Sequence, residues 1–169
     1  MSNRRILVTG GAGYIGAHAV LELIEEGFEP VILDNFSTGH RYATQGCEVI
    51  EADLRDRASL DSALNSCQFD GVMHFAAKSI VGDSMRSPLD YFENNVTGSL
   101  NLINAALKRG AEHFVFSSTA AVYGEPENSP ITEAHTLAPI NPYGRSKRMI
   151  EIMLAEAYRA HGLRSISFR

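Results

Sequence analysis

The residues Ile6-Leu7-Val8-Thr9-Gly10-Gly11-Ala12-Gly13-Tyr14-Ile15-Gly16 constrain the fold of this chain more than any other segment. A short apolar run enters a glycine cluster, and a helix-period pattern leaves it. Read from Gly11 the spacing is G-x-G-x-x-G; read from Gly10 it is G-x-x-G-x-x-G. In a dinucleotide site such glycines make a tight turn, let backbone approach a pyrophosphate and let the helix pack on the strand. The free N–H groups and dipole of the helix N-terminus then favour phosphate charge. An ordinary strand–helix turn uses glycines too, so the rest of the chain has to decide between the two.

The remaining pattern is a regular alternation. Apolar, β-rich runs predict strands over 5–9, 30–34, 47–52, 69–75, 113–117 and 164–168. Helical periodicity predicts helices over 13–26, 56–66, 88–109 and 142–161, the first with Ile15, Ala19 and Leu23 on one face. Pro88 and Pro142 open the last two helices, where a missing N–H costs nothing. Gly27, Gly110 and Gly162 close the first, third and fourth, and Asp56 is placed to cap the second. Strands one, two, four and five are Val/Ile/Phe-rich rather than alternating, as strands covered on both faces are. Strict β–α–β order implies right-handed crossovers and an α/β fold, a doubly wound parallel Rossmann sheet in the order 3-2-1-4-5-6. Ligand is then expected at the carboxyl ends of the strands. The longest irregular stretch, 124–141, carries Pro126, Pro130 and Pro139.

Length and composition fit one soluble domain over 1–169, with no repeat, linker or second domain visible in the pattern. A net charge of −5 leaves no electrostatic footprint for nucleic acid or an anionic membrane, and no apolar run reaches membrane-spanning length. Cys47 and Cys67 have no C-x-x-C spacing, which argues against a disulfide framework or zinc site and for a reduced, cytoplasmic setting. Six scattered histidines lack ligand spacing, so no metal is expected.

Several polar residues fall where the strands should end. Asp34 closes strand two, 18 residues beyond Gly16. An acid there accepts hydrogen bonds from adenosine ribose hydroxyls and repels a 2′-phosphate, favouring NAD over NADP. Asp53, after strand three, can reach an adenine amino group or equally serve as a solvated, capping acid. Small residues in His74-Phe75-Ala76-Ala77-Lys78 let backbone approach a cofactor, and Lys78 can meet phosphate. In Tyr143-Gly144-Arg145-Ser146-Lys147 the i, i+4 spacing puts phenol and ammonium on one helix face. An ammonium favours the phenolate, giving a general acid/base near neutral pH. Tyr-x-x-x-Lys alone is a frequent accident; its place after strand five of a dinucleotide fold is what gives it weight. Ser117-Ser118-Thr119 offers hydroxyls beside Tyr143 to a substrate oxygen.

Together these strings resemble the extended short-chain dehydrogenase/reductases, and within them the UDP-glucose 4-epimerase family. The resemblance also rests on Leu33-Asp34-Asn35-Phe36-Ser37-Thr38-Gly39-His40, on Asn94-Asn95-Val96 and on Ser118-Thr119-Ala120-Ala121-Val122-Tyr123-Gly124. It covers essentially the whole chain. It implies that Gly10, Gly13, Tyr14, Ile15 and Gly16 lie against the NAD pyrophosphate. Asp34, Asn35, Phe36, Ser37, Thr38 and Gly39 would surround the adenosine ribose, and Asp53 and Leu54 the adenine. Phe75, Ala76, Ala77, Lys78 and Asn95 would line the middle of the cofactor. Thr119 would bind the sugar O4, Tyr143 act as acid/base and Lys147 hold the nicotinamide ribose. The implied reaction interconverts UDP-galactose and UDP-glucose through a transient 4-keto sugar, with NAD tightly bound and regenerated. Ala120-Ala121 lacks the Asp-Glu of the related 4,6-dehydratases, which disfavours dehydration. The resemblance further implies a homodimer through helices 88–109 and 142–161, and a smaller C-terminal substrate domain that this chain lacks. An NAD-binding fragment without turnover, or another nucleotide-sugar epimerase or dehydrogenase, are the alternatives.

Overall fold

The computed structural model describes residues 4–169. Six parallel strands form one sheet in the order β3-β2-β1-β4-β5-β6, as the alternation predicts. β1 (Arg5–Thr9) lies at the centre, pairing with β2 (Glu29–Asp34) on one side and β4 (Gly71–His74) on the other. β3 (Glu48–Glu51) and β6 (Arg164–Phe168) are the edges, and β5 (His113–Ser117) joins β4 to β6. The central strands are buried on both faces, whereas β3 and β6 are half-exposed, which matches their more polar sequences.

Because successive strand residues face opposite ways, the sheet builds two cores. Leu7, Val31, Leu33 and Phe116 face one way, against Leu60 of α2 (Arg57–Ala63), Leu102 of α5 (Gly98–Lys108) and Ile150 and Leu154 of α6 (Pro142–His161). Val8 and Ile32 face the other way, with Val20 of α1 (Tyr14–Glu25). Asp56 caps α2 by accepting from Ser59 N at 3.0 Å, and Gly162 closes α6 in the left-handed region at φ 75°.

Two elements differ from the sequence expectation. The helix expected over 88–109 is not continuous: α4 (Pro88–Tyr91) passes through a π-helical turn at Phe92–Thr97 before α5 begins. At this turn the Asn95 carbonyl accepts from the Gly98 backbone N–H and also from Ser99 Oγ, the latter at 2.5 Å. A short helix, α3 (Val81–Arg86), fills a stretch to which the sequence pattern assigns no element, and a single 3₁₀ turn at Ala120–Tyr123 follows β5. No helix among the described residues is long and apolar enough to cross a membrane.

Candidate active site

A cleft of about 840 Å³ runs along the carboxyl ends of the central strands, where β1 and β4 diverge into their loops. At one end lies the glycine turn. Gly10 has φ +70°, and a Cβ there would stand 2.6 Å from Ala76 N; a Cβ on Gly16 would stand 2.1 Å from Gly10 O. Only glycine lets these three backbones approach so closely. Gly13 starts α1 without any side-chain cap, and no acid occupies the first turn. The N–H groups of Tyr14, Ile15 and Gly16 are thus left for an outside acceptor, at the positive end of a twelve-residue helix.

Asp34 anchors the next wall. Its carboxylate is buried and accepts from Ala12 N at 3.0 Å and Phe36 N at 2.8 Å. One acid thereby fixes both the glycine turn and the loop after β2, and each oxygen keeps a lone pair for a further donor. Asn35, Ser37, Thr38 and Gly39 line the cleft beside it, while Phe36 lies outside the lining under the Arg41 guanidinium, 4.2 Å from its ring centroid. Asp53 and Leu54 close this end. Asp53 accepts from Asn35 Nδ2 at 3.0 Å and from Arg55 N, Nε and an NH at 2.9, 3.0 and 2.7 Å. Hydrogen bonds from the Arg55 guanidinium outweigh burial and hold its carboxyl well below the usual range. All four of its acceptor positions are thus met within the protein.

Phe75, Ala76, Ala77 and Lys78 line the middle of the cleft. Asn95 does not; its neighbour Asn94 does. Asn95 is buried and donates to Lys78 O and Ser146 Oγ, both at 3.0 Å. It also accepts from Lys78 N at 2.8 Å and Asn94 Nδ2 at 3.0 Å. It clamps the loop after β4 to the first turn of α6. Behind it, Ser99 Oγ spends its proton on the Asn95 carbonyl, so it accepts from His74 Nε2 at 2.8 Å, and His74 Nδ1 accepts from Thr9 at 2.7 Å. Burial, with the nearby Lys147 charge, pushes His74 down to about 3, so it is a neutral structural imidazole.

Tyr143 and Lys147 stand together at the far end. Asn141 caps α6 by accepting from Gly144 N at 2.8 Å, which sets the turn that carries them. Lys147 is only 3% exposed; its Nζ donates to Ser117 O at 2.7 Å. It lies 4.8 Å over the Phe116 ring and 5.9 Å from the Tyr143 ring centroid. Burial pushes this lysine down to about 8. Thr119 is half-buried just outside the cleft lining; its Oγ1 accepts from Ala121 N at 3.1 Å and keeps its proton to donate. The wall that sequence reasoning missed comes from Ile80, Asp83, Arg86 and Tyr91, on and around α3. The i, i+3 spacing of the Asp83–Arg86 pair was the available signal.

Known proteins place this geometry. The profile of the NAD dependent epimerase/dehydratase family matches residues 6–169. Over 169 residues the chain is 46% identical to the UDP-glucose 4-epimerase of Rhizobium leguminosarum bv. trifolii, covering all of this chain and 52% of that protein. The UDP-glucose 4-epimerase of Brucella ovis in complex with NAD has a TM-score of 0.93 at 41% identity, over 97% of this chain and 50% of that one. That of Thermotoga maritima with UDP-glucose has a TM-score of 0.92 at 35% identity, over 98% and 54%. The chain spans about half the length of the relatives it matches.

Proposed function

Because the chain belongs to the NAD dependent epimerase/dehydratase family, we propose that its cleft holds NAD and that it supplies the cofactor half of a UDP-glucose 4-epimerase. The observation that carries this reading is the joint geometry of one cleft. An uncapped helix N-terminus stands at one end and a tyrosine with a buried lysine at the other.

The residues fit a dinucleotide. The Tyr14–Gly16 N–H groups would take the pyrophosphate, and the remaining lone pairs of Asp34 the ribose hydroxyls. The negative carboxylate disfavours a 2′-phosphate, which selects NAD over NADP. Bound NAD supplies a reversible hydride acceptor at the sugar C4. The chain's own part is the proton: Tyr143 takes it from the C4 hydroxyl as the carbonyl forms and returns it when the alcohol re-forms. Lys147, still an ammonium at neutral pH because its value lies near 8, sets a positive charge on the same helix face as the Tyr143 phenol and offers hydrogen bonds to a ribose. Thr119, with its proton free, would hold the sugar O4 beside Tyr143. The substrate pair that best fits the relatives is UDP-galactose and UDP-glucose.

The half-length match favours a second reading, in which the chain binds NAD without turning over sugar. Self-pairing through α4–α5 and α6 belongs to the first reading and is supported by Leu89, Leu100, Met149 and Ile152, all exposed. The unpaired thiols Cys47 and Cys67 support a reducing, cytoplasmic setting. The test is conversion of UDP-galactose to UDP-glucose by the purified chain with added NAD, with Tyr143→Phe as control. Turnover lost in the control supports the enzyme. Saturable NAD binding without turnover supports the second reading, and turnover retained in Tyr143→Phe rejects the assigned chemistry.

A further inference from the structure

Behind the Tyr143–Lys147 pair lies a buried carboxylate that the proposed chemistry does not use. Glu151 sits one helical turn beyond Lys147 on α6, with its side chain 4% exposed. A lone carboxylate there would be costly, but this one is fully partnered. Ser118 Oγ donates to Oε1 at 2.6 Å, and Arg148 donates to Oε2 at 3.1 Å. Arg169 grips both oxygens, at 2.9 and 3.0 Å, and also donates to the Tyr123 hydroxyl at 3.2 Å. Burial would raise the Glu151 carboxyl, yet Arg169 and Ser118 together hold it lowered, so it is anionic at neutral pH.

The geometry gives this cluster a consequence for the site. Lys147 reaches β5 through the Ser117 carbonyl, and the next residue along, Ser118, reaches back to Glu151 on the same helix. Two adjacent residues at the end of β5 are thus fixed to two points one turn apart on α6. Arg169 extends the grip to the end of β6, and Tyr123 extends it to the 3₁₀ turn that Thr119 caps. We infer that Glu151 is a positioning residue. It holds the end of β5 in register with α6, so that the Ser117 carbonyl stays on the Lys147 ammonium. This inference rests on the proposed acid/base role of Tyr143 and Lys147, and it concerns how they are held rather than what they do.

The experiment reads Lys147 itself. The sequence contains three lysines, Lys78, Lys108 and Lys147, so a chain labelled with ¹³C at the lysine ε-carbon gives three titration curves by NMR. The titratable and charged groups near Lys147 are His74, which is neutral, Tyr143 on its own helix, and the Arg148–Glu151–Arg169 cluster one turn further along α6. Glu151→Gln keeps an acceptor for Ser118 but abandons Arg169; Ser118→Ala is the milder variant and leaves the ion pairs intact. Both are expected to move the Lys147 midpoint to lower pH by about half a unit or more, because an ammonium that loses its acceptor inside the protein is disfavoured. Lys78 and Lys108 should titrate unchanged, reporting an intact fold. Lys147 titrating as in the parent chain in either variant, whether or not thermal stability falls, would overturn the inference. That outcome is separate from failure of the functional reading, which would show as turnover surviving Tyr143→Phe.

Discussion

Burying the Lys147 side chain takes its ammonium out of water, and burial pushes its pKa from 10.5 down to about 8. Below pH 8 the folded chain carries that buried charge, a cost of about 3 kcal/mol. Between 8 and 10.5 the unfolded chain binds a proton that the folded one has released, so stability rises with pH; above 10.5 the cost is gone. Lys147→Met is therefore expected to unfold about 1–2 kcal/mol harder than the parent at pH 7, after allowing for the lost bond to Ser117 O. The gain should fade as pH rises toward 10.5, while acid/base chemistry is lost. Urea unfolding at both pH values checks this; a variant less stable at pH 7, with no pH trend, would count against it. Gly16 makes the opposite kind of point. Its missing Cβ leaves room for Gly10 O, so Gly16→Ala should weaken NAD binding by tenfold or more, roughly 1.4 kcal/mol, by distorting the turn.

At the scale of elements, the strands and their order were legible because apolar runs buried on both faces leave little choice. Helix ends were legible where glycine, proline or Asp56 set them. The π-helical turn was not: Phe92-Glu93-Asn94-Asn95-Val96-Thr97 contains no proline or glycine and keeps the helical period through the break. It sits at the end of a hydrogen-bond chain spread over β1, β4 and α5, which runs from Thr9 through His74 to Ser99 and so to the Asn95 carbonyl. For the same reason Asn95 reads in sequence as a residue lining the cofactor, whereas in the fold it clamps Lys78 to Ser146 from behind. The Glu151–Arg169 contact was equally invisible, since it exists only because β6 lies beside β5. Replacing Asn95 by leucine strands the Lys78 backbone N–H and C=O together. The expected loss is about 2–4 kcal/mol by urea unfolding, with weaker NAD binding, because the loop carrying Phe75–Lys78 is released. An unchanged unfolding midpoint would show that the clamp is dispensable.

For the whole molecule, two sets of exposed apolar residues bear on association. The first is Leu89, Leu100, Met149 and Ile152 on α4, α5 and α6. The second is the edge strand β6, where Ile166 and Phe168 are 60% and 64% exposed. An open apolar edge is a template for further pairing. Ile166→Lys is expected to reduce concentration-dependent association of this chain in light scattering while leaving NAD affinity unchanged, since β6 contributes nothing to the cleft lining. Association that persists in this variant would point to the helical face instead.

The most direct test of the cleft is calorimetric titration of the purified chain with NAD and, in parallel, with NADP. One saturable NAD site per chain is expected, with NADP weaker by about tenfold or more if the Asp34 carboxylate meets the ribose as proposed, and with that preference lost in Asp34→Ala. No NAD binding, or equal affinity for the two dinucleotides in the parent chain, would contradict this reading.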